Sequence, residues 1–188
     1  MSVNVTALEL PRTTSAPRRR GRQLQRRERR RLAEQDRRLS HLAELHRIRA
    51  VLAEAVTLVS KGWVQHGWFS TADPSGQQRV VSAHTASAMS GQPVSGACLV
   101  GAIVHAGGGP DAVHTQLVQR TLDLTWHTLY EDPHEPVRWC PAPATRMAHV
   151  RDLTKWNDKP KRSLTQVTQL LHEAMATAEA QIALLRVS

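Results

Sequence analysis

Residues 39–61 read LSHLAELHRIRAVLAEAVTLVSK, and the spacing of their apolar side chains decides the fold class. Leu42, Leu45, Ile48, Leu52, Ala55, Val56 and Val59 recur at steps of three and four, which is one face of an α-helix. Lys61-Gly62 adds a basic last turn and a terminating glycine. Upstream lies Arg18–Arg38, with 11 arginines against Glu28, Glu34 and Asp36. Its Arg, Gln, Glu, Leu and Ala are good helix formers. Glu28 stands at helical spacing from Arg31, and Glu34 from Arg37 and Arg38, so ion pairs are expected there. The two segments predict one long helix, free at its front and docked at its back, with the body beginning near Leu39. Residues 1–17, with two prolines and no periodicity, predict a disordered tail.

Downstream, Gly62, Gly67, Asp73-Pro74, Gly76, Gly91 and Pro93 break up residues 62–94. Trp63, Trp68 and Phe69 are expected in the core, and Gln78–Ser82 as a short strand. Ser95 is placed to cap a helix over 96–106, ended by Gly107–Gly109. Pro110-Asp111 opens another over about 111–130, with Val113, Leu117, Val118, Leu122, Trp126 and Leu129 on its buried face. A short helix is expected over 145–155. Ser163 and Gln166 form a capping box ahead of a last helix, whose face is Leu164, Val167, Leu171, Met175, Ala178, Ile182 and Leu185. The prediction is a mainly α, irregular bundle of about four to five helices with room for one short strand or hairpin. Its parts are a tail (1–17), an Arg-rich arm (18–38) and one helical domain (39–188).

Charge is segregated. Residues 1–50 hold 14 arginines and 5 acids, a balance of +9; residues 51–188 hold 11 basic and 11 acidic residues, a balance of zero. Such an arm attracts phosphates, acidic proteins or anionic membrane surfaces from a distance. Aromatics are 4% of the chain, so Leu, Val and Ala must build the core, which suits helices better than a β-sandwich. Two cysteines, Cys98 and Cys140, are too few for a secreted disulfide framework. The longest apolar run, residues 97–106, is half of the ~20 residues a membrane span needs. A cytoplasmic, reduced location is expected.

Three short motifs carry a resemblance: Gly62-Trp63 after a helix, Cys98-Leu99-Val100-Gly101-Ala102 opening one, and Trp156-Asn157-Asp158 before the capped helix. In this order they resemble a domain family of unknown function from actinobacteria and their phages, over about residues 45–178. The resemblance implies such a source and a compact helical unit. It implies no activity and leaves the arm outside.

Cys98 near a helix N-terminus is the one candidate nucleophile. The helix dipole and exposed N–H groups would depress its pKa, and His105, His114 or His127 could serve as base. The structural alternative makes Cys98 a small buried hydrophobe, with Gly101 and Ala102 letting another helix approach. Trp156-Asn157-Asp158 reads as a loop anchor whose amide and carboxylate satisfy a turn. In its functional reading Asn157 and Asp158 share a pocket with the Trp63 and Trp68 region. Lys155, Lys159, Lys161 and Arg162 form a second, smaller basic patch, of a kind that is usually just solvated surface. No metal-ligand spacing is present, and Gly107–Gly109 matches no phosphate or dinucleotide loop, so no cofactor is expected.

The arm exceeds this background. Arg18, Arg19, Arg20, Arg22, Arg26, Arg27, Arg29, Arg30, Arg31, Arg37 and Arg38 are permanently charged forks for phosphate. With no aromatic among them, backbone contact is favoured over base stacking. The leading expectation is a non-enzymatic accessory protein: the arm contacts nucleic-acid backbone, non-specifically, and the helical body docks a partner. The alternatives are an acidic-protein partner or self-association, a solvated helical extension with no partner, a cysteine hydrolase or transferase using Cys98, and an inhibitor acting by protein binding alone.

Overall fold

The computed structural model describes residues 16–72, 75–82, 85, 93–133, 135–137, 139–140 and 143–187, with side chains omitted for 16–24 and 143–144. The expectation for residues 1–15 and the side chains of Arg18, Arg19, Arg20 and Arg22 lie outside these described residues. The chain divides into two units, residues 1–39 and 40–188.

The first helix, α1 (Ala16–Lys61), is longer than the period of its apolar stripe. It begins at Ala16, with Pro17 in its first turn, where a missing N–H costs nothing. Residues 16 and 17, expected in the tail, are therefore helical. Among residues 25–39 side chains are exposed, except that Arg38 is half-buried. None of the expected Glu28 or Glu34 ion pairs forms among the described residues. Arg37 Nε instead donates to the Ala33 carbonyl at 3.0 Å. Exposed pairs of this kind gain little in water, which is why their loss is tolerated.

Within residues 40–188, α1 buries Leu45, Ile48, Leu52, Ala55 and Val59 completely. Beyond Lys61 the chain forms β1 (Phe69–Ala72), β2 (Gln78–Val81) and β3 (Gly96–Ala97), a small antiparallel sheet in the order β2-β1-β3. Phe69 pairs with both Val81 and Ala97, and Ser70 with both Val80 and Gly96. The strand expected over 78–82 is β2. Strand β1 sits in the stretch read as irregular, and β3 takes the first residues of the helix expected from 96. Gly62 and Gly96 meet backbone to backbone: a Cβ on Gly96 would lie 2.2 Å from the Gly62 carbonyl oxygen. That contact carries the Ala97 N–H to Gly62 O hydrogen bond at 2.8 Å.

Helix α2 (Leu99–Ala106) is capped by Cys98, not by Ser95. Ser95 donates its N–H to the Ser70 carbonyl at the sheet edge instead. The helix expected over 111–130 is broken. A 3₁₀ turn (Pro110–His114) precedes Thr115, whose hydroxyl caps α3 (Gln116–Tyr130). Helix α3 packs against α2, α4, α5 and the 3₁₀ turn, and is buried on more than its apolar face. Thr121 and Thr125 tolerate this because each hydroxyl donates to the carbonyl four residues back, at 2.8 Å. The short helix expected over 145–155 is α4 (Pro143–Asn157). The Ser163–Gln166 box forms reciprocally, at 3.3 and 3.1 Å, and opens α5 (Leu164–Val187). Val167, Leu171, Ala178 and Ile182 of α5 are buried as expected, while Leu164 is exposed. The fold is mainly α, with five α-helices and one small sheet among the described residues.

Candidate functional site

The three sequence motifs converge on one side chain. Asn157, the last residue of α4, is fully buried. Its Oδ1 accepts the indole N–H of Trp63 at 2.9 Å and the backbone N–H of Leu99 at 3.2 Å. Its Nδ2 donates to the Val64 carbonyl at 3.2 Å and to Asp158 Oδ1 at 2.8 Å. All four hydrogen-bonding positions of the amide are thus used, and they tie the end of α4 to the loop after α1 and the first turn of α2. Asp158 Oδ1 also accepts the His66 N–H at 3.0 Å, and Gln65 Nε2 donates to the carbonyls of Asn157 and Lys159 at 2.8 and 3.2 Å. His66 has φ of 59°, a left-handed conformation that these bonds hold in place. The Asn-Asp pair therefore does face the Trp63 segment, and what it meets there is the Trp63 indole N–H and backbone to be satisfied.

Cys98 sits where expected, at the N-terminus of α2, and its sulfur accepts the Gly101 N–H at 3.2 Å. The lowered pKa that a nucleophile would need is not found, and the buried-hydrophobe reading fits. Burial pushes the thiol up to about 12, and the hydrogen bonds from Gly101 and Val100 do not offset it. Ionising a fully enclosed sulfur costs more than a helix terminus returns, so Cys98 packs as a hydrophobe. No disulfide joins it to Cys140. Gly101 admits a loop, not a helix: a Cβ there would stand 2.1 Å from the Trp68 carbonyl oxygen. That oxygen accepts the Cys98 N–H at 3.0 Å. Ala102, one residue on, is fully buried in the same core.

This hub lies inside a stretch, residues 43–177, that matches the family model described as a family of unknown function, DUF6197. The chain belongs to DUF6197. No curated protein and no solved structure matches it. The match begins inside α1, so residues 1–42, with the arm, fall outside the DUF6197 unit.

A second polar cluster in the DUF6197 unit escaped the sequence reading. Asp123 of α3 is 2% exposed, and its Oδ1 meets His149 Nδ1 at 3.0 Å. Its Oδ2 lies 3.8 Å from Arg146 Nε but accepts no hydrogen bond among the described residues. The His149 ring stacks on Trp126, centroids 4.0 Å apart. Arg146 Nε donates to the Cys140 carbonyl at 2.9 Å. Arg120 pairs with Glu44 of α1 and lies 5.2 Å over the Trp139 ring. Burial, and then the Arg146 charge, lower the Arg120 pKa. His41 packs edge-on against Trp139, and burial, then Arg120, lower its pKa. Two guanidiniums face two carboxylates, so the cluster neutralises itself. Of the histidines proposed as a base for Cys98, His105 packs on Phe69 and His127 pairs with Glu131. Among the described residues no group of three or more His, Cys, Asp or Glu side chains could hold a metal. No helix among them is long and apolar enough to cross a membrane.

In the arm, Arg26, Arg27, Arg29, Arg30, Arg31 and Arg37 are exposed, and none of these or Arg38 forms an ion pair among the described residues. At 3.6 residues per turn, Arg26, Arg30 and Arg37 make one row and Arg27, Arg31 and Arg38 the adjacent row. Leu32 and Leu39, each 55% exposed, lie on the other side of the same helix.

Proposed function

We propose that the chain is a non-enzymatic nucleic-acid-binding accessory protein whose arm contacts the phosphate backbone while the DUF6197 unit docks a partner. One observation carries the reading: six arginines, in two adjacent rows, share one face of an uninterrupted helix with only Glu34 among them. From Arg26 to Arg38 that face runs about 18 Å, at 1.5 Å per residue. A rigid cationic face without aromatics suits the regularly spaced phosphates of a duplex better than unstacked bases. The actinobacterial or phage source implied by the resemblance belongs to the same reading, as does a cytoplasmic location. Cysteine-based catalysis has no comparable support, because Cys98 is buried and its thiol stays protonated.

The test compares the full chain with a variant carrying Gln at Arg26, Arg27, Arg30, Arg31, Arg37 and Arg38. Binding to duplex DNA and to an RNA hairpin is measured at two salt concentrations. Each lost phosphate contact should flatten the slope of log K against log salt by about 0.9. Equal binding by both proteins overturns the proposal. Retention of an acidic protein partner with no nucleic-acid binding by either protein favours the protein-docking alternative.

A further inference from the structure

We infer that the α4–α5 turn is a second phosphate-contacting surface, formed by Arg151, Lys155, Lys159 and Lys161; it rests on the reading that this chain binds nucleic acid. All four side chains are exposed, and none forms an ion pair among the described residues. Arg151 and Lys155 are one helical turn apart on α4, so they stand in one row, about 6 Å apart along the axis. Lys159 and Lys161 continue from the end of that helix.

The neighbouring acids do not neutralise this row. Asp152 accepts the Trp126 indole N–H at 3.4 Å, and Asp158 is turned inward onto the His66 N–H and Asn157 Nδ2. Arg162 is withdrawn from the patch, because its guanidinium lies 3.8 Å over the Trp156 ring and its Nε donates to the Trp156 carbonyl. Elsewhere in residues 40–188, Arg49, Arg120 and Arg146 meet Glu179, Glu44 and Asp123. The turn thus keeps an outward positive field in a unit whose charges otherwise nearly balance, at +1 over residues 40–188.

The turn is also held rigidly. Gln65 grips the Lys159 carbonyl, the Arg162 N–H donates to the same carbonyl at 3.1 Å, and Asn157 fixes the end of α4. Lys161 has φ of 68°, where glycine or asparagine is the usual occupant. A strained position carrying a long exposed cation is explained if that cation is used. A fixed backbone leaves only side-chain freedom to be lost on binding.

The experiment keeps the full chain and replaces Arg151, Lys155, Lys159 and Lys161 with Gln. Binding to a duplex DNA and an RNA hairpin is measured by fluorescence anisotropy across a salt series, beside the parent and the arm variant. The expected result is a weakening of about tenfold or more at the lowest salt and a slope on duplex DNA flatter by about 3.6, with unchanged circular dichroism. Lys161→Gly gives a second measure: it removes strain, so it should melt no lower than the parent while flattening the slope by about 0.9. Parent-like binding by both variants, with the arm variant impaired, overturns this inference and leaves the arm reading standing. No binding by the parent overturns both. Unchanged nucleic-acid binding with lost retention on phosphatidylglycerol vesicles overturns it in favour of a lipid surface.

Discussion

Replacing Asn157 with Ala removes the acceptor of two donors at once. The Trp63 indole N–H and the Leu99 N–H lose their shared oxygen, and the Val64 carbonyl loses its donor. A buried polar group left unpaired costs about 1–3 kcal/mol. Trp63 is only half-buried and can recruit water, so its share lies at the low end, whereas Leu99 is fully buried. The sum is about 3–4 kcal/mol, a large part of the ~5–15 kcal/mol that holds a domain together. In a chain of this size that is a fall in Tm of about 6–16 °C. Urea denaturation should show a lower midpoint with an unchanged slope, since the folded and unfolded surfaces stay the same. Asn157→Asp sharpens the experiment. It keeps the acceptor but sets a carboxylate where the amide now donates to Asp158 at 2.8 Å. It should be unstable at neutral pH and recover as acid protonates one of the two carboxylates. A loss below about 1 kcal/mol for Asn157→Ala would refute the hub, because unpaired buried donors cost more than that.

Gly101→Ala should lose more than about 2 kcal/mol in a thermal melt, because the new methyl meets Trp68 backbone that cannot swing aside; a parent-like Tm would contradict this packing. In the native protein Cys98 should resist a thiol reagent at pH 8 and react only in urea; rapid native labelling would show that the sulfur is reachable and ionised. Asp123→Ala frees His149 and leaves Arg146 to the Cys140 carbonyl, and should cost about 1.5–3 kcal/mol by chemical denaturation, whereas under about 1 kcal/mol would mean the cluster stabilises little. Since His41 is harder to protonate folded than unfolded, its contribution is complete above pH 6.5 and is lost as pH falls through the window below it. His41→Gln should flatten that acid-side decline, and an identical pH profile would sink the assignment.

The helices could be read because each satisfies its own backbone and shows its face in a local period. The Ser163–Gln166 box and the α1 stripe are of this kind, with every determinant within four residues. The errors fall where partners are distant in sequence. Strand β3 is two residues long and forms because Phe69 and Ser70 lie beside it, which displaced the helix start from Ser95 to Cys98. Thr115 outcompeted Pro110-Asp111 because its hydroxyl and carbonyl could cap α3 while glycines at 108 and 109 held positive φ. The Trp156-Asn157-Asp158 turn was legible as an anchor, but its partners were not. The Asp123–His149 pair left no trace, since neither residue stands in a motif.

Composition and periodicity by themselves determined a helical chain with its positive charge gathered at one end, because charge and helical period are properties of neighbours along the chain. Tertiary structure alone decided what those residues are worth. It enclosed Cys98, so a helix terminus that should favour a thiolate lost to desolvation. It turned Asp152 and Asp158 inward and left the lysines between and beyond them facing water. Burial and pairing depend on residues brought together from far apart in the sequence, and local spacing does not encode that distance.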